Sequence, residues 1–175
     1  MEIFKNKKIL ITGHTGFKGS WLSIWLTHLG AKVVGVSNNI VGSPSNFLVS
    51  EISKVVDDYR FDIRDEGAIK SLIERVQPDF VFHLAAQALV RPSYENPLET
   101  MSINAIGSAN VLDALRGLDK KVVAVMITSD KAYDNVEWVW GYRETDRLGG
   151  KDPYSSSKGM AELAIRCYIE SFFNS

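Results

Sequence analysis

The sequence predicts an α/β fold in which a doubly wound parallel sheet carries helices on both faces. Short apolar runs rich in Val and Ile alternate with longer amphipathic segments, the pattern of βαβ units. A turn with a glycine at every third position, Gly13-His14-Thr15-Gly16-Phe17-Lys18-Gly19, joins the first strand to the first helix. Polar residues, Ser129-Asp130-Lys131, directly follow the fifth apolar run, where open α/β sheets gather them.

Lys8-Ile9-Leu10-Ile11-Thr12 reads as a strand over 8–12, and Ser20-Trp21-Leu22-Ser23-Ile24-Trp25-Leu26 places an amphipathic helix over 17–29, closed by Gly30 at its C-cap. Further apolar runs predict strands over 32–37, 55–60, 79–84 and 122–128. Helices are predicted over 65–76, 97–116 and 153–173. Asp65 fits the N-cap of the first of these, and Pro78 stops it ahead of Asp79-Phe80-Val81-Phe82-His83-Leu84. Segments 38–50, 89–97 and 133–152 read as loops. No internal repeat, low-complexity tract or interdomain linker interrupts the pattern, so residues 1–175 are expected to form one domain.

Composition sets the class. With 45% hydrophobic and 23% charged residues, 175 residues suffice for one core. A formal net charge of -1 gives no electrostatic case for nucleic acid or an anionic membrane. No apolar run approaches the roughly 20 residues of a membrane span, and Met1-Glu2-Ile3-Phe4-Lys5 lacks the order of a signal peptide. The one cysteine, Cys167, cannot build a disulfide framework; it reads as a packing residue, and a reducing cytoplasm is the expected location. His14, His28 and His83 show no metal spacing, so no metal site is expected.

The glycine turn follows G-x-x-G-x-x-G rather than G-x-G-x-x-G, and it serves the same physics: a tight turn, close approach of backbone N–H groups to phosphate, and close packing of helix on sheet. A P-loop is excluded, because Lys18 precedes Gly19 and no Gly-Lys-Ser/Thr follows. Between a strand and a helix this turn is the place for a dinucleotide pyrophosphate, with Gly13, Thr15, Gly16, Phe17, Lys18 and Gly19 as candidate contacts. The fold is therefore Rossmann-type. The second strand ends in Ser37-Asn38 where a carboxylate usually binds the adenosine ribose; both side chains can hydrogen-bond a ribose, and no neighbouring arginine argues for NADP. Asp62 and Ile63 end the third strand, and Asp62 is the freer carboxylate because Asp65 caps the helix. Leu84-Ala85-Ala86-Gln87 faces the same crevice.

Tyr154-Ser155-Ser156-Ser157-Lys158 puts a phenol and an ammonium one helical turn apart on one face. Tyr154 is the candidate general base toward a sugar hydroxyl, with the Lys158 ammonium placed to favour the phenolate and to bond the nicotinamide ribose.

Together with His83-Leu84-Ala85-Ala86-Gln87, Leu89-Val90-Arg91 before Ser93-Tyr94 and Pro97, Asn104-Ala105-Ile106-Gly107-Ser108 and Thr128-Ser129-Asp130-Lys131, these motifs resemble the extended short-chain dehydrogenases/reductases. Phe17-Lys18-Gly19-Ser20-Trp21 and Ser129-Asp130-Lys131 narrow the resemblance to the CDP-glucose 4,6-dehydratase family, in the nucleotide-sugar dehydratase and epimerase group. The resemblance implies NAD as cofactor and CDP-glucose as substrate. It implies hydride removal from sugar C4, loss of water across C5 and C6, and hydride return to C6. On that resemblance Asn104 and Thr128 line the cofactor groove, Ser129 bonds the C4 oxygen, Tyr154 takes its proton, and Asp130 donates to the leaving C6 hydroxyl. Lys131 stands where many sugar-nucleotide dehydratases carry the Glu that removes the C5 proton; the other reading of Lys131 is an ion pair with Asp130. Helices 97–116 and 153–173 are those by which such enzymes pair, so a homodimer is expected. Arg91, Ser93 and Tyr94 fall by the substrate or dimer face on the resemblance, or else on an ordinary solvated loop. The resembled family continues into a C-terminal substrate lobe that this chain lacks, so the chain alone is expected to bind cofactor without dehydratase turnover, with its fifth strand left as a sheet edge. The alternatives are an epimerase of the same superfamily and a dinucleotide-binding module without catalysis.

Overall fold

Each helical crossover returns the chain to the same end of the sheet, which makes successive strands parallel. The computed structural model describes residues 2–173. Its strands are β1 (Lys8–Thr12), β2 (Lys32–Val36), β3 (Asp57–Tyr59), β4 (Phe80–His83) and β5 (Val123–Met126), arranged in the order β3-β2-β1-β4-β5 with every pair parallel. The strand order reverses at β1, which opens a crevice beyond its carboxyl end.

The helices are α1 (Phe17–His28), α2 (Asn46–Val49), α3 (Glu66–Val76), α4 (Val90–Glu95), α5 (Pro97–Met101), α6 (Gly107–Arg116) and α7 (Pro153–Tyr168). Strand alternation sends side chains to both faces. Leu10, Val34, Val36 and Val81 pack with Ile69, Leu72 and Ile73 of α3 and Val111 of α6 on one face. Ile9, Ile11 and Val33 pack with Leu26 of α1, Phe47 of α2 and Ile52 on the other.

The expected punctuation holds. Gly30 has φ +81°, its N–H bonds Thr27 O at 3.0 Å and the Ala31 N–H bonds Leu26 O at 3.0 Å, the paired closure of a left-handed helix end. Asp65 accepts from Ala68 N at 2.9 Å as the N-cap of α3. Several expectations are corrected. Strands β3 to β5 are shorter than their apolar runs, while β5 is the sheet edge that was expected, with Val123 and Val125 open to solvent. Segment 89–97 is not a loop: it holds α4, whose Pro92 sits in the first turn, where a missing N–H costs nothing. The helix over 97–116 is interrupted by a π segment, Ser102–Ile106, between α5 and α6. The amphipathic reading of the first helix also fails. α1 buries Gly19, Ser20, Ser23 and Leu26 and leaves Trp21 and Trp25 half-exposed, because small residues are what let it approach the sheet closely. Cys167 is exposed, since the buried face of α7 runs through Tyr154, Ser157, Lys158 and Ala161, about half a turn away.

His83, at the end of β4, is buried beneath the crevice. Its Nδ1 lies 2.7 Å from Thr12 Oγ1 and its Nε2 2.9 Å from Ser108 Oγ. Ser108 spends its own proton on the Asn104 carbonyl, so it accepts from Nε2–H, and Nδ1 accepts from Thr12. Burial, reinforced by the nearby Lys158 ammonium, pushes the imidazole down to about 3. The stabilisation from keeping it neutral is complete above its ordinary value near 6.5 and is lost as pH falls toward about 3. His14, also lowered by burial, acts in the same direction. Unfolding free energy is therefore expected to fall by about 1.4 kcal/mol per pH unit on account of His83 below pH ~6.5, above the usual carboxylate range. Denaturant titrations at pH 6.5 and 5 check this: His83→Gln should flatten the dependence, and an unchanged slope would contradict the assignment.

Candidate active site

The glycine turn sits at the carboxyl end of β1, tied down from both sides. Gly13 has φ +77°, and a Cβ there would lie 2.7 Å from Ala85 N, so the position needs glycine for conformation and for space. The Gly13 N–H bonds Val36 O at 2.7 Å, while Thr15 Oγ1 donates to Asn39 O at 2.7 Å. Gly16 forms the N-cap of α1, and no side chain caps it. The amides of the first helical turn, Phe17 to Gly19, are thus left for an outside acceptor at the positive end of the helix. At Gly16 itself a Cβ would meet only Gly13 O, at 3.3 Å. Unpaired amides above an open cradle fit a pyrophosphate.

His14, in the middle of the turn, is fully buried with its Nε2 3.0 Å from Asp58 Oδ1 and its Nδ1 3.2 Å from Ser37 Oγ. Ser37 is therefore not a ribose ligand on show: it is buried, bonded to His14, and also accepts from Thr15 N at 3.4 Å. Asn38 is exposed at the strand end. The absence of a nearby arginine is corrected as well. Arg60 reaches from the end of β3 to place Nη1 3.5 Å from Asn39 O.

Asp62 is not the freer carboxylate. Its oxygens accept from Arg64 N at 2.8 Å, Nε at 3.0 Å and Nη2 at 2.6 Å, and the Arg64 hydrogen bond holds its carboxyl below the usual range. The Ile63 side chain lies in the core against Gly107, and its carbonyl accepts from Asn110. Asn104 likewise faces inward, from the π segment. Its Oδ1 accepts from Gln87 N at 2.8 Å, and its Nδ2 donates to Gln87 O at 3.0 Å and Ser157 Oγ at 2.7 Å. With both amide protons spent, Asn104 joins the Leu84–Gln87 segment to α7; it positions the groove and does not line it.

β5 delivers the remaining groups. Beyond its end Ile127 N still bonds His83 O at 3.0 Å, and the chain tightens into a 3-10 turn, Asp130–Ala132, capped by Ser129. That turn packs on α7 at Gly159, where a Cβ would stand 3.4 Å from Ala132 O. Asp152 starts α7, accepting from Ser155 N at 3.0 Å, with Pro153 in the first turn. This fixes Tyr154 and Lys158 on the buried face, 9% and 6% exposed. Among the described residues neither Tyr154 Oη nor Lys158 Nζ has a hydrogen-bond partner. Burial lowers the Lys158 pKa, and Glu162 opposes that shift. Ser129 Oγ lies 3.1 Å from Asp130 Oδ1 and accepts from Lys131 N at 3.2 Å. Asp130 and Lys131 are both exposed and form no ion pair with each other. Thr128 Oγ1 donates to Glu162 of α7, so its hydroxyl is committed to that carboxylate. Glu162 was not anticipated, although its place four residues after Lys158 is the spacing that marks a shared helix face.

The family model described as GDP-mannose 4,6 dehydratase matches residues 10–173. The chain is 47% identical over 173 residues to the CDP-glucose 4,6-dehydratase of Salmonella typhimurium, covering 99% of this chain and 48% of that protein. It is 30% identical to the GDP-mannose 4,6-dehydratase of Yersinia enterocolitica over 95% of this chain and 46% of the relative. The chain thus spans about half the length of the curated relatives it matches. Among solved structures, the UDP-glucose 4-epimerase of Thermotoga maritima with UDP-glucose superposes with a TM-score of 0.82 at 28% identity, over 95% of this chain and 52% of that one. The UDP-glucose 4-epimerase of Thermus thermophilus in complex with NAD gives 0.80 at 31% identity, with the same coverage of 95% and 52%.

Proposed function

The chain belongs to the GDP-mannose 4,6 dehydratase family, and from that premise we propose that it is the NAD-binding part of a CDP-glucose 4,6-dehydratase. One observation carries the reading: the Ser129-Asp130-Lys131 turn is packed onto the helix that buries Tyr154 and Lys158, so groups for C4 and for C5–C6 chemistry share one end of the sheet. The 47% identity to a CDP-glucose 4,6-dehydratase supports the choice of substrate. The first-turn amides of α1 would hold the pyrophosphate of NAD, with Gly13, Gly16 and Gly19 keeping the turn tight and free of side chains. When bound, NAD supplies a hydride acceptor for C4 and the hydride that later returns to C6.

The chain's own residues handle the protons. Tyr154, stripped of competing partners, accepts the proton of the C4 hydroxyl. The buried Lys158 cation stabilises negative charge developing on that oxygen more strongly than an exposed one would. Ser129 turns its hydroxyl from Asp130 to the C4 oxygen. In the elimination the carboxylic acid form of Asp130 gives its proton to the leaving C6 hydroxyl and the neutral amine form of Lys131 takes the C5 proton; both side chains are exposed and accessible to a sugar. Leu98, Ile106, Met160 and Leu163 remain exposed on α5, the π segment and α7, a surface suited to pairing two copies as a homodimer. No helix among the described residues is long and apolar enough to cross a membrane, and a cytoplasmic location fits this reading.

The second reading is a C4 epimerase, favoured by the likeness to the Thermotoga structure. An epimerase needs Tyr154 and Lys158 but no acid and base for C5 and C6. Lys131→Ala, made in the protein at the length of its relatives, separates the two. Deuterium exchange at C5 and water loss should fall by about a hundredfold while C4 oxidation falls far less, the typical size of one acid–base group. Equal loss of both steps would make Lys131 something other than the C5 base.

A further inference from the structure

An acidic residue at the end of the second strand usually reads the ribose 2′-hydroxyl of NAD, and an arginine there receives the 2′-phosphate of NADP. β2 ends here in Ser37-Asn38-Asn39 and carries neither. The structure brings a guanidinium to that place from the neighbouring strand. Arg60 Nη1 is 3.5 Å from the Asn39 carbonyl, which Thr15 Oγ1 ties to the glycine turn at 2.7 Å. The cation therefore stands beside the adenosine end of the groove.

Arg60 is held in three ways. Its Nη2 bonds Asp58 Oδ2 at 2.7 Å, its Cζ lies 5.0 Å over the Phe47 ring, and Nη1 rests against Asn39. Asp58 is in turn fixed by His14, whose Nε2 must donate to Oδ1 because a carboxylate only accepts. Burial favours the neutral form of that imidazole, so the Asp58 charge is left to balance Arg60 alone. The pair presents no net charge to an approaching phosphate, and one of its members is an anion.

We propose that Asp58 makes this site select NAD over NADP, by holding Arg60 in an ion pair at the adenosine end of the groove. The inference rests on the NAD-binding reading above. A 2′-phosphate would have to pull Arg60 from both Asp58 and Phe47 and then sit against the carboxylate left behind. Without the Asp58 charge, the same guanidinium becomes a ready two-pronged phosphate receptor.

The test is calorimetric titration of the purified protein with NAD and with NADP. Asp58→Asn keeps the side chain's size and removes its charge. It should tighten NADP binding about tenfold, one charge-assisted pair's worth, with NAD affinity little changed, and Asp58→Asn combined with Arg60→Gln should abolish that gain. Arg60→Gln alone should leave the ratio of the two affinities within about twofold, because a paired Arg60 contributes no phosphate contact. This arm stands even if Asp58→Asn folds poorly. An unchanged ratio in folded Asp58→Asn, or a collapse of NADP binding in Arg60→Gln alone, overturns the proposal while leaving NAD binding established. Failure of the unsubstituted protein to bind either nucleotide overturns the cofactor reading itself.

Discussion

Replacing Gly16 with leucine is expected to abolish NAD binding and leave the fold intact. The two outcomes separate here because of the local geometry. Gly16 has φ −70°, open to any L-residue, and an added Cβ meets only Gly13 O at 3.3 Å. Gly13 offers no such separation, since its φ of +77° and its contact with Ala85 would make any side chain a folding defect. A leucine at 16, adjoining the first-turn amides of α1, is expected to crowd the space they leave for phosphate. Losing those amides and the helix-end field should weaken NAD by about a hundredfold or more. Titration calorimetry measures the affinity and circular dichroism the fold; unchanged affinity would count decisively against the pyrophosphate assignment.

Tyr154→Phe should remove 4-keto sugar formation from the protein at its relatives' length, with a rate loss of about 10²–10⁴ for a missing general base. The ring is buried, and among the described residues its hydroxyl bonds nothing, so phenylalanine fills the same space without orphaning a partner. Stability and NAD affinity should both survive. The buried Lys158 beside it gives the loss a further origin, because an ammonium one turn away and short of water has no developing anion left to stabilise. A variant that still forms 4-keto product at a normal rate would move the base elsewhere.

What the sequence disclosed was local. The positive-φ turn at Gly13, the helix closure at Gly30 and the cap at Asp65 each depend on a residue and its near neighbours, and each was readable. The spacing of Tyr154 and Lys158 was also readable, because a helix turns spacing into position. What it concealed was contact between distant segments. Ser37 has the place and chemistry of a ribose ligand, but His14, 23 residues away in sequence, occupies its hydroxyl. Asn104 resembled a cofactor contact, but its partners on Gln87 and Ser157 come from two other elements. Arg60 escaped notice because it follows β3, and only parallel pairing with β2 carries it to the ribose end. Asp62 is hidden at short range: capping by Asp65 leaves it free in principle, yet Arg64, two residues on, closes over both oxygens. A flexible arginine's choice of partner leaves no periodic signal.

Dehydration changes the mass of the nucleotide sugar and epimerisation does not, so mass spectrometry of the product separates the two. CDP-glucose and NAD are incubated with the protein extended to the length of its relatives, of which this chain spans 48% in the CDP-glucose 4,6-dehydratase case. Dehydration is expected to give a CDP-sugar lighter than the substrate by one water and carrying a 4-keto group. A CDP-sugar of unchanged mass, epimerised at C4, would contradict it.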